Sequence, residues 1–365
     1  MKNRYILPIF VVLILLGMVP GSSAQDMNYS QYFSTPIYYN PAYTGINSGL
    51  RARFLFRDQW PSLPIPFKSY FFSADLGDRS LPGSGGVGIM INQDTPGAGL
   101  INNFGAALTI GVRIPINSFL VTQIGIKAGI MQRRVNWDDL VFANQLDPKY
   151  GNIYSSTFIP PDANKRVVPD FGVGGVLQFI NPNGTISGNI GLGVDHLFKP
   201  DVSFLSTGAS PYPRKWVGQF DLIFSTGPGG ASMMSHGDDP LKINIGGIYQ
   251  NQANLNSLQV GLNMLKYNIY VGAWYKSTMT GVVNSAVVLV AGYKYSFYED
   301  MNIKFMYSYD LQVSGALQGT GGAHEISLIL EFDKLSVFGG GNGGGYVPGG
   351  SGRRGGGPME CPTFY

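Results

Sequence analysis

Met301-Asn302-Ile303-Lys304-Phe305-Met306-Tyr307-Ser308-Tyr309-Asp310-Leu311 is the stretch that decides the fold. Ile303, Phe305, Tyr307, Tyr309 and Leu311 occupy every second position, with Asn302, Lys304, Ser308 and Asp310 between them; only Met306 interrupts the polar set. A repeat of two is the period of a β-strand, whose side chains alternate between faces. One side of this strand is oily and the other is wet.

The same alternation runs from about Arg51 to Phe338. Leu241, Ile243 and Ile245 oppose Lys242, Asn244 and Gln250, and Val287, Leu289, Ala291, Tyr293 and Tyr295 oppose Lys294 and Ser296. Near the end, Ile326, Leu328, Leu330 and Phe332 alternate with Glu325, Ser327, Glu331 and Asp333, so three carboxylates share a face whose reverse is apolar. Interruptions at Gly, Pro, Asn and Asp divide the pattern into about fourteen strands. They lie near 51–60, 67–77, 85–94, 101–114, 119–132, 169–181, 185–198, 214–225, 240–250, 255–265, 267–276, 283–297, 300–311 and 321–333.

A soluble sandwich would turn the oily face inward, whereas a barrel in a membrane turns it toward lipid. Composition favours the barrel: only 13% of the 365 residues are charged, against roughly a quarter in an average soluble domain. Beyond the first twenty positions no apolar run approaches the roughly 20 residues that a membrane helix needs. The prediction is an all-β fold, a transmembrane antiparallel β-barrel with its apolar face to lipid and a polar, Gly-rich lumen. Closing the sheet leaves no backbone group unpaired in hydrocarbon, and an even strand number fits the bacterial rule.

The flanks divide the chain further. Residues 1–24 read as a signal peptide, with Lys2 and Arg4, an apolar Ile6–Val19 segment and small residues Ser22-Ser23-Ala24 before Gln25. Residues 25–49 form an N-terminal arm or plug, 50–338 the barrel, and 339–365 a periplasmic tail in which twelve of 27 residues are Gly. With both termini in the periplasm, the long connections Arg133–Val168 and Lys199–Pro213 face outside. Pro115–Ser118, Asn181-Pro182-Asn183-Gly184 and Tyr298–Asp300 are short inner turns, and Thr226–Asp239 is a long inner exception.

Chemistry for catalysis is sparse. There are three histidines, His196, His236 and His324, and no Gly-x-Ser-x-Gly. His324-Glu325 is not followed by a histidine at Leu328 and sits on a strand, so no metal site is expected. Gly83-Ser84-Gly85-Gly86-Val87-Gly88 has dinucleotide spacing but precedes a strand, so these are turn glycines and no cofactor is expected. The net charge of +3 is dispersed, which excludes a nucleic-acid partner, and the lone Cys361 has no internal disulfide partner. Trp60, Trp137, Trp216 and Trp274 read as interfacial girdle residues.

The arm is different. Tyr32, Phe33, Tyr38, Tyr39 and Tyr43 cluster around Pro36 and Pro41 with few charges, which suits a segment packed in the lumen or a docking or gating element.

Gln31-Tyr32-Phe33-Ser34-Thr35-Pro36-Ile37-Tyr38-Tyr39-Asn40-Pro41-Ala42-Tyr43-Thr44-Gly45 resembles the opening of the PorP/SprF family of the type IX secretion system. The resemblance continues through Arg57-Asp58-Gln59-Trp60, the 138–147 segment with Phe142, and His324-Glu325-Ile326-Ser327-Leu328. It implies an outer-membrane protein of Bacteroidota that works with the type IX machinery and serves secretion or surface attachment of large adhesins in gliding cells. Tyr32, Pro36, Asn40, Pro41, Tyr43, Gly45, Arg57, Gln59 and Trp60 are then the residues expected to bind a partner or gate the lumen. Expected partners are the outer-membrane bilayer, the machinery and a secreted adhesin. The rival expectation is a channel for small hydrophobic solutes, and an outer-membrane hydrolase ranks last.

Overall fold

The computed structural model describes residues 26–78, 84–96, 101–137, 140–157, 159, 164–182, 185–204, 208–226, 241–279, 285–298, 301–314, 319–333 and 335. The expected signal peptide, the glycine-rich tail with Cys361, His236 and nearly all of the 226–239 connection lie outside these residues.

Sixteen strands run in chain order: β1 Gly49–Gln59, β2 Phe67–Gly77, β3 Ser84–Thr95, β4 Ile101–Asn117, β5 Leu120–Val135, β6 Leu146–Asp147, β7 Gly151–Asn152, β8 Lys165–Ile180, β9 Ile186–Asp195, β10 Lys215–Ser225, β11 Lys242–Gln252, β12 Leu255–Lys266, β13 Ile269–Thr278, β14 Ser285–Tyr298, β15 Met301–Gln312 and β16 Ala323–Phe332. All but β6 and β7 form one closed antiparallel barrel of fourteen strands, with β1 sealed against β16. This is the expected architecture, with strand limits moved by a few residues. The largest shift is at the expected Arg133–Val168 loop, where β5 continues to Val135 and β8 begins at Lys165. Arg133, Arg134, Lys165 and Arg166 pair across that extension, and their charge hides the strand pattern. The remaining loop folds back on itself as the β6–β7 ribbon.

The end of the barrel where β1 finishes is called the rim, and the end where it starts the foot. The rim carries the 136–164 and 196–214 connections, while the foot has two-residue hairpins such as Tyr267-Asn268, whose φ values of 49° and 67° are those of a twist-matched type I′ turn. Among the described residues no helix is long and apolar enough to span a membrane.

Alternation places Leu108, Ile110 and Val112 of β4 and Ile124, Ile126 and Ile130 of β5 on the outer surface, exposed to the surroundings. Inside, the wall is not uniformly polar. Leu55, Phe71, Trp274, Val288, Val290 and Met306 point inward and join a single buried cluster with arm residues. Met306 therefore breaks the polar side of β15 because it meets the arm, not water. Trp274 corrects the girdle expectation: it is 2% exposed and stands inside, whereas Trp216 is outside at 52%.

Candidate functional site in the barrel lumen

The arm climbs the lumen from Gly49 at the foot to Asp26 at the rim, and Tyr29 to Ile46 are buried throughout. It does so in short turns: a 3-10 turn at Tyr32–Ser34, one α turn at Pro36–Tyr39 and a second 3-10 turn at Pro41–Tyr43. Pro36 and Pro41 each start a turn, where a fixed φ costs nothing and no N–H is missed. The Asn40 side chain caps the last turn by accepting from Ala42 N at 2.9 Å, and its amide donates to the wall carbonyls of Gly175 and Leu192, each at 3.2 Å.

Turns this short leave most backbone donors free, and the wall must satisfy them. Glu325 of β16 accepts from Ser30 N and Gln31 N, both at 2.7 Å, and pairs with the Arg57 guanidinium of β1. Arg57 also pairs with Asp310 of β15 at 3.0 Å and donates to Ser30 Oγ at 3.0 Å. Ser327 donates to Gln31 Oε1 at 2.7 Å, and Lys276 donates to Asn28 O at 2.8 Å and Ser30 Oγ at 3.0 Å. A buried carboxylate is tolerable only when paired and hydrogen-bonded on all sides. Here that pairing joins the first strand, the last strand and the arm at the seam where the barrel closes.

The expected site residues fall into two groups. Tyr32 is 2% exposed; its ring meets Trp274 edge-on at 5.3 Å and its hydroxyl donates to Asp221 Oδ1 at 3.2 Å. Tyr43 donates to Asn189 Oδ1 at 2.6 Å. Gly45 has φ +63° and lies against the Gly86 backbone, with its N–H on Asp75 Oδ2 at 2.9 Å, so a side chain there meets both strain and a blocked wall. Opposite Pro41-Ala42 the wall is bare at Gly125, where a Cβ would strike arm backbone. Arg57 joins this group, and Gln59 accepts from its Nε at 3.2 Å. Trp60 stands apart at the rim, with φ 59°, its N–H on Gly322 O at 2.7 Å and its ring edge-on to Phe67 at 5.1 Å. Together with Ser62 N on Thr320 O at 3.1 Å, it carries the β1–β16 seam into the loops.

At the rim the arm ends in a second network. Asp26 contacts His196 Nε2 at 2.9 Å, Tyr212 Oη at 2.8 Å and Lys215 Nζ at 3.3 Å, while His196 Nδ1 reaches Asp170 at 2.7 Å. Lys127 bridges Asp170 at 2.8 Å and Asp195. Asp26, Asp195 and His196 bring ligand-type atoms together, but Lys127 and Lys215 already answer the carboxylates, so the donor set suits ion pairing rather than a metal. Burial alone would lower the His196 pKa; Asp26 and Asp195, with hydrogen bonds to Asp170 and Asp26, outweigh it and push it up to about 10. Burial alone would raise Asp26, and His196 and Lys215 outweigh that, holding its carboxyl well below the usual range.

The sign of the pH dependence follows. The His196 contribution is complete below the unfolded value of about 6.5 and disappears as pH rises through about 10. That of Asp26 is present above about 3.9 and disappears only in acid. Thermal stability in detergent should therefore fall between pH 6.5 and 10, and His196→Asn should flatten that slope. An unchanged slope in the variant would remove His196 from the account.

Above the arm, on the rim side, lies a cavity of about 350 Å³ bounded by Asp26, Arg57, Gln59, Lys276, Asp310 and Gln312 among others. Neither described histidine activates a nucleophile: His196 faces carboxylates, and His324 is on the outer face with Nδ1 2.8 Å from the Tyr307 hydroxyl. Sequence reasoning missed Lys127, Asp170, His196 and Lys215 as lumen groups, and it did not pair Asp26, Ser30 or Asp310, although the arm and the polar face of β15 held them. The available signal was Arg51, Arg53 and Arg57 sharing the inward face of β1, which demands inward carboxylates elsewhere.

A closed barrel with an apolar outer belt and a lumen occupied by its own N-terminal segment defines a plugged outer-membrane β-barrel. Residues 21–330 match the family described as type IX secretion system membrane protein PorP/SprF. The chain belongs to that family and is an outer-membrane protein of the type IX secretion system, with the membrane and the secretion machinery as partners. No curated protein matches the sequence. Among solved structures, similar folds include CdiB from Acinetobacter baumannii (9% identity, 78% of this chain and 60% of that one, TM-score 0.43). A Pseudomonas aeruginosa FadL homologue (11%, 78% and 89%, 0.42) and the CymD monoaromatic hydrocarbon channel (10%, 85% and 93%, 0.39) are also similar. The chain spans 60% of the length of CdiB.

Proposed function

We propose that this barrel is a sealed, non-enzymatic outer-membrane carrier that supports the secretion or surface attachment of a large adhesin-type protein exported by the type IX system. The observation that carries the reading is the occupied lumen: the arm is tied to the wall by Glu325, Arg57, Asn40 and Tyr43, and the glycine-faced wall leaves no slack around Tyr39 to Asn47. Wall and plug form one body, so Tyr32, Pro36, Asn40, Pro41, Tyr43, Gly45, Arg57 and Gln59 serve the partner by shaping the barrel beneath it. The partner's surface is the rim, with the 136–164 connection exposing Val141, Tyr150, Ile153 and Tyr154 to solvent.

Two measurements test this. In a strain lacking the gene, an adhesin-type substrate of the system should be lost from the cell surface, and re-expression should restore it. The purified chain in a planar bilayer should show no steady conductance. Normal surface display without the gene would defeat the carrier reading; a stable open channel would favour transport of small hydrophobic solutes.

A further inference from the structure

The extension of β5 and β8 beyond the apolar belt places like charges directly opposite each other: Arg133 pairs in register with Arg166, and Arg134 with Lys165. Cross-strand side chains at such positions stand about 5 Å apart, and like charges there repel. The inward pair is relieved. Arg133 donates to Asn103 Oδ1 at 3.2 Å and lies over the Tyr212 ring at 5.9 Å, and Arg166 Nε reaches Asp201 O at 3.5 Å. The outward pair is not. Among the described residues, neither the Arg134 nor the Lys165 side chain has a hydrogen bond or an ion pair, and both are exposed.

Their height matters. Ile130 on β5 and Val167 on β8, both 48% exposed, face lipid on the same outer surface just below them. Two unanswered cations thus stand immediately above the hydrocarbon belt, on the long-loop side that faces the cell exterior in such barrels. Polar side chains adjoin the pair: Gln132 lies below Arg134 on β5, and sideways on β3 and β4 Thr95 is hydrogen-bonded to Asn102 at 2.9 Å, with Asn102 in register with Arg134.

We infer that Arg134 and Lys165 form a binding site for the phosphate of a phosphorylated glycolipid of the lipid A type in the outer leaflet. A phosphate between the two cations removes their mutual repulsion and accepts hydrogen bonds from both. The adjoining amides and hydroxyl suit sugar hydroxyls, and the acyl chains lie along Ile130 and Val167. This goes beyond the carrier reading and does not depend on it, because no loop or lumen group takes part.

The test is native mass spectrometry of the full chain from mild detergent, with added phosphorylated lipid A, its dephosphorylated form, phosphatidylglycerol or phosphatidylcholine. Phosphorylated lipid A should be retained preferentially. Arg134→Gln or Lys165→Gln should each lower the bound ratio about fivefold, and the pair about thirtyfold. Lys149→Gln, in the loop, should leave it unchanged. The charge-preserving Arg134→Lys and Lys165→Arg should keep binding, and unheated gel mobility confirms that each variant is folded. Equal retention by the double variant, or of the dephosphorylated lipid, would overturn the site; equal retention of phosphatidylglycerol would overturn the choice of a glycolipid.

Discussion

Glu325→Ala should cost about 3–5 kcal/mol, the range for removing one partner of a buried ion pair. Its two oxygens take Ser30 N, Gln31 N and Arg57, so removal orphans two backbone donors and leaves Asp310 to balance the Arg57 guanidinium without it. Total stabilities are commonly only 5–15 kcal/mol, so much of the protein should fail to reach the folded form. The measurement is the fraction migrating as folded barrel in unheated gels, with thermal unfolding of whatever folds. Glu325→Gln keeps an acceptor for the backbone and should fall between the wild type and alanine. Combining Glu325→Ala with Arg57→Ala should cost less than the sum of the two changes, because the pair is coupled. A loss below about 1 kcal/mol for Glu325→Ala would mean that the seam is held elsewhere.

Replacing Tyr32, Asn40 and Tyr43 together by alanine should have a comparable effect through a different route. Tyr32 and Tyr43 are large, fully buried rings, and truncating such a side chain costs about 3–5 kcal/mol. Asn40→Ala also removes a cap and the amide bonds to the Gly175 and Leu192 carbonyls. Tyr32 meets β10, whereas Asn40 and Tyr43 both reach β9, so the Tyr32 cost should add in full to a partly shared cost of the other two, and the total should still exceed the stability of the barrel. Gly343, Gly344 and Gly345 of the tail, changed together to Ser, should be tolerated. Any folded fraction of the arm variant should conduct ions in a planar bilayer where the parent does not. Equal assembly of the two variants would make the arm passive filling.

Much of the fold could be read from alternation, because the membrane imposes one rule on every strand: the residue facing lipid is apolar. That rule placed β15 and β16 almost residue by residue. It failed where side chains meet protein rather than solvent or lipid. Trp274 and Met306 face inward because the arm supplies apolar partners, and a local pattern carries no record of a segment some 240 residues away. It failed again at Arg133–Val135 and Lys165-Arg166, where strands leave the bilayer and the rule lapses. The arm was legible as a lumen segment from its prolines and tyrosines, and Arg57 and Glu325 through the family resemblance. Their meeting at one seam was not, since Glu325 and Arg57 are brought together only by closure of the ring. The rim network around Asp26 and His196 left no motif, because its members come singly from separate strands, a loop and the arm.

The seating of the arm on the last strand has a bearing on how the protein is made. Glu325 is synthesised almost at the end of the chain, yet it receives residues that emerge near the beginning. The early segment must stay uncommitted until nearly the whole wall exists, and the ring then shuts around it. Ribosomes that stop before Ala323 release a product lacking both the closing strand and the acceptor for its own first turns. Such fragments can neither close the ring nor seat the arm, so an open sheet with unpaired edges, rather than a smaller sealed barrel, is the expected product.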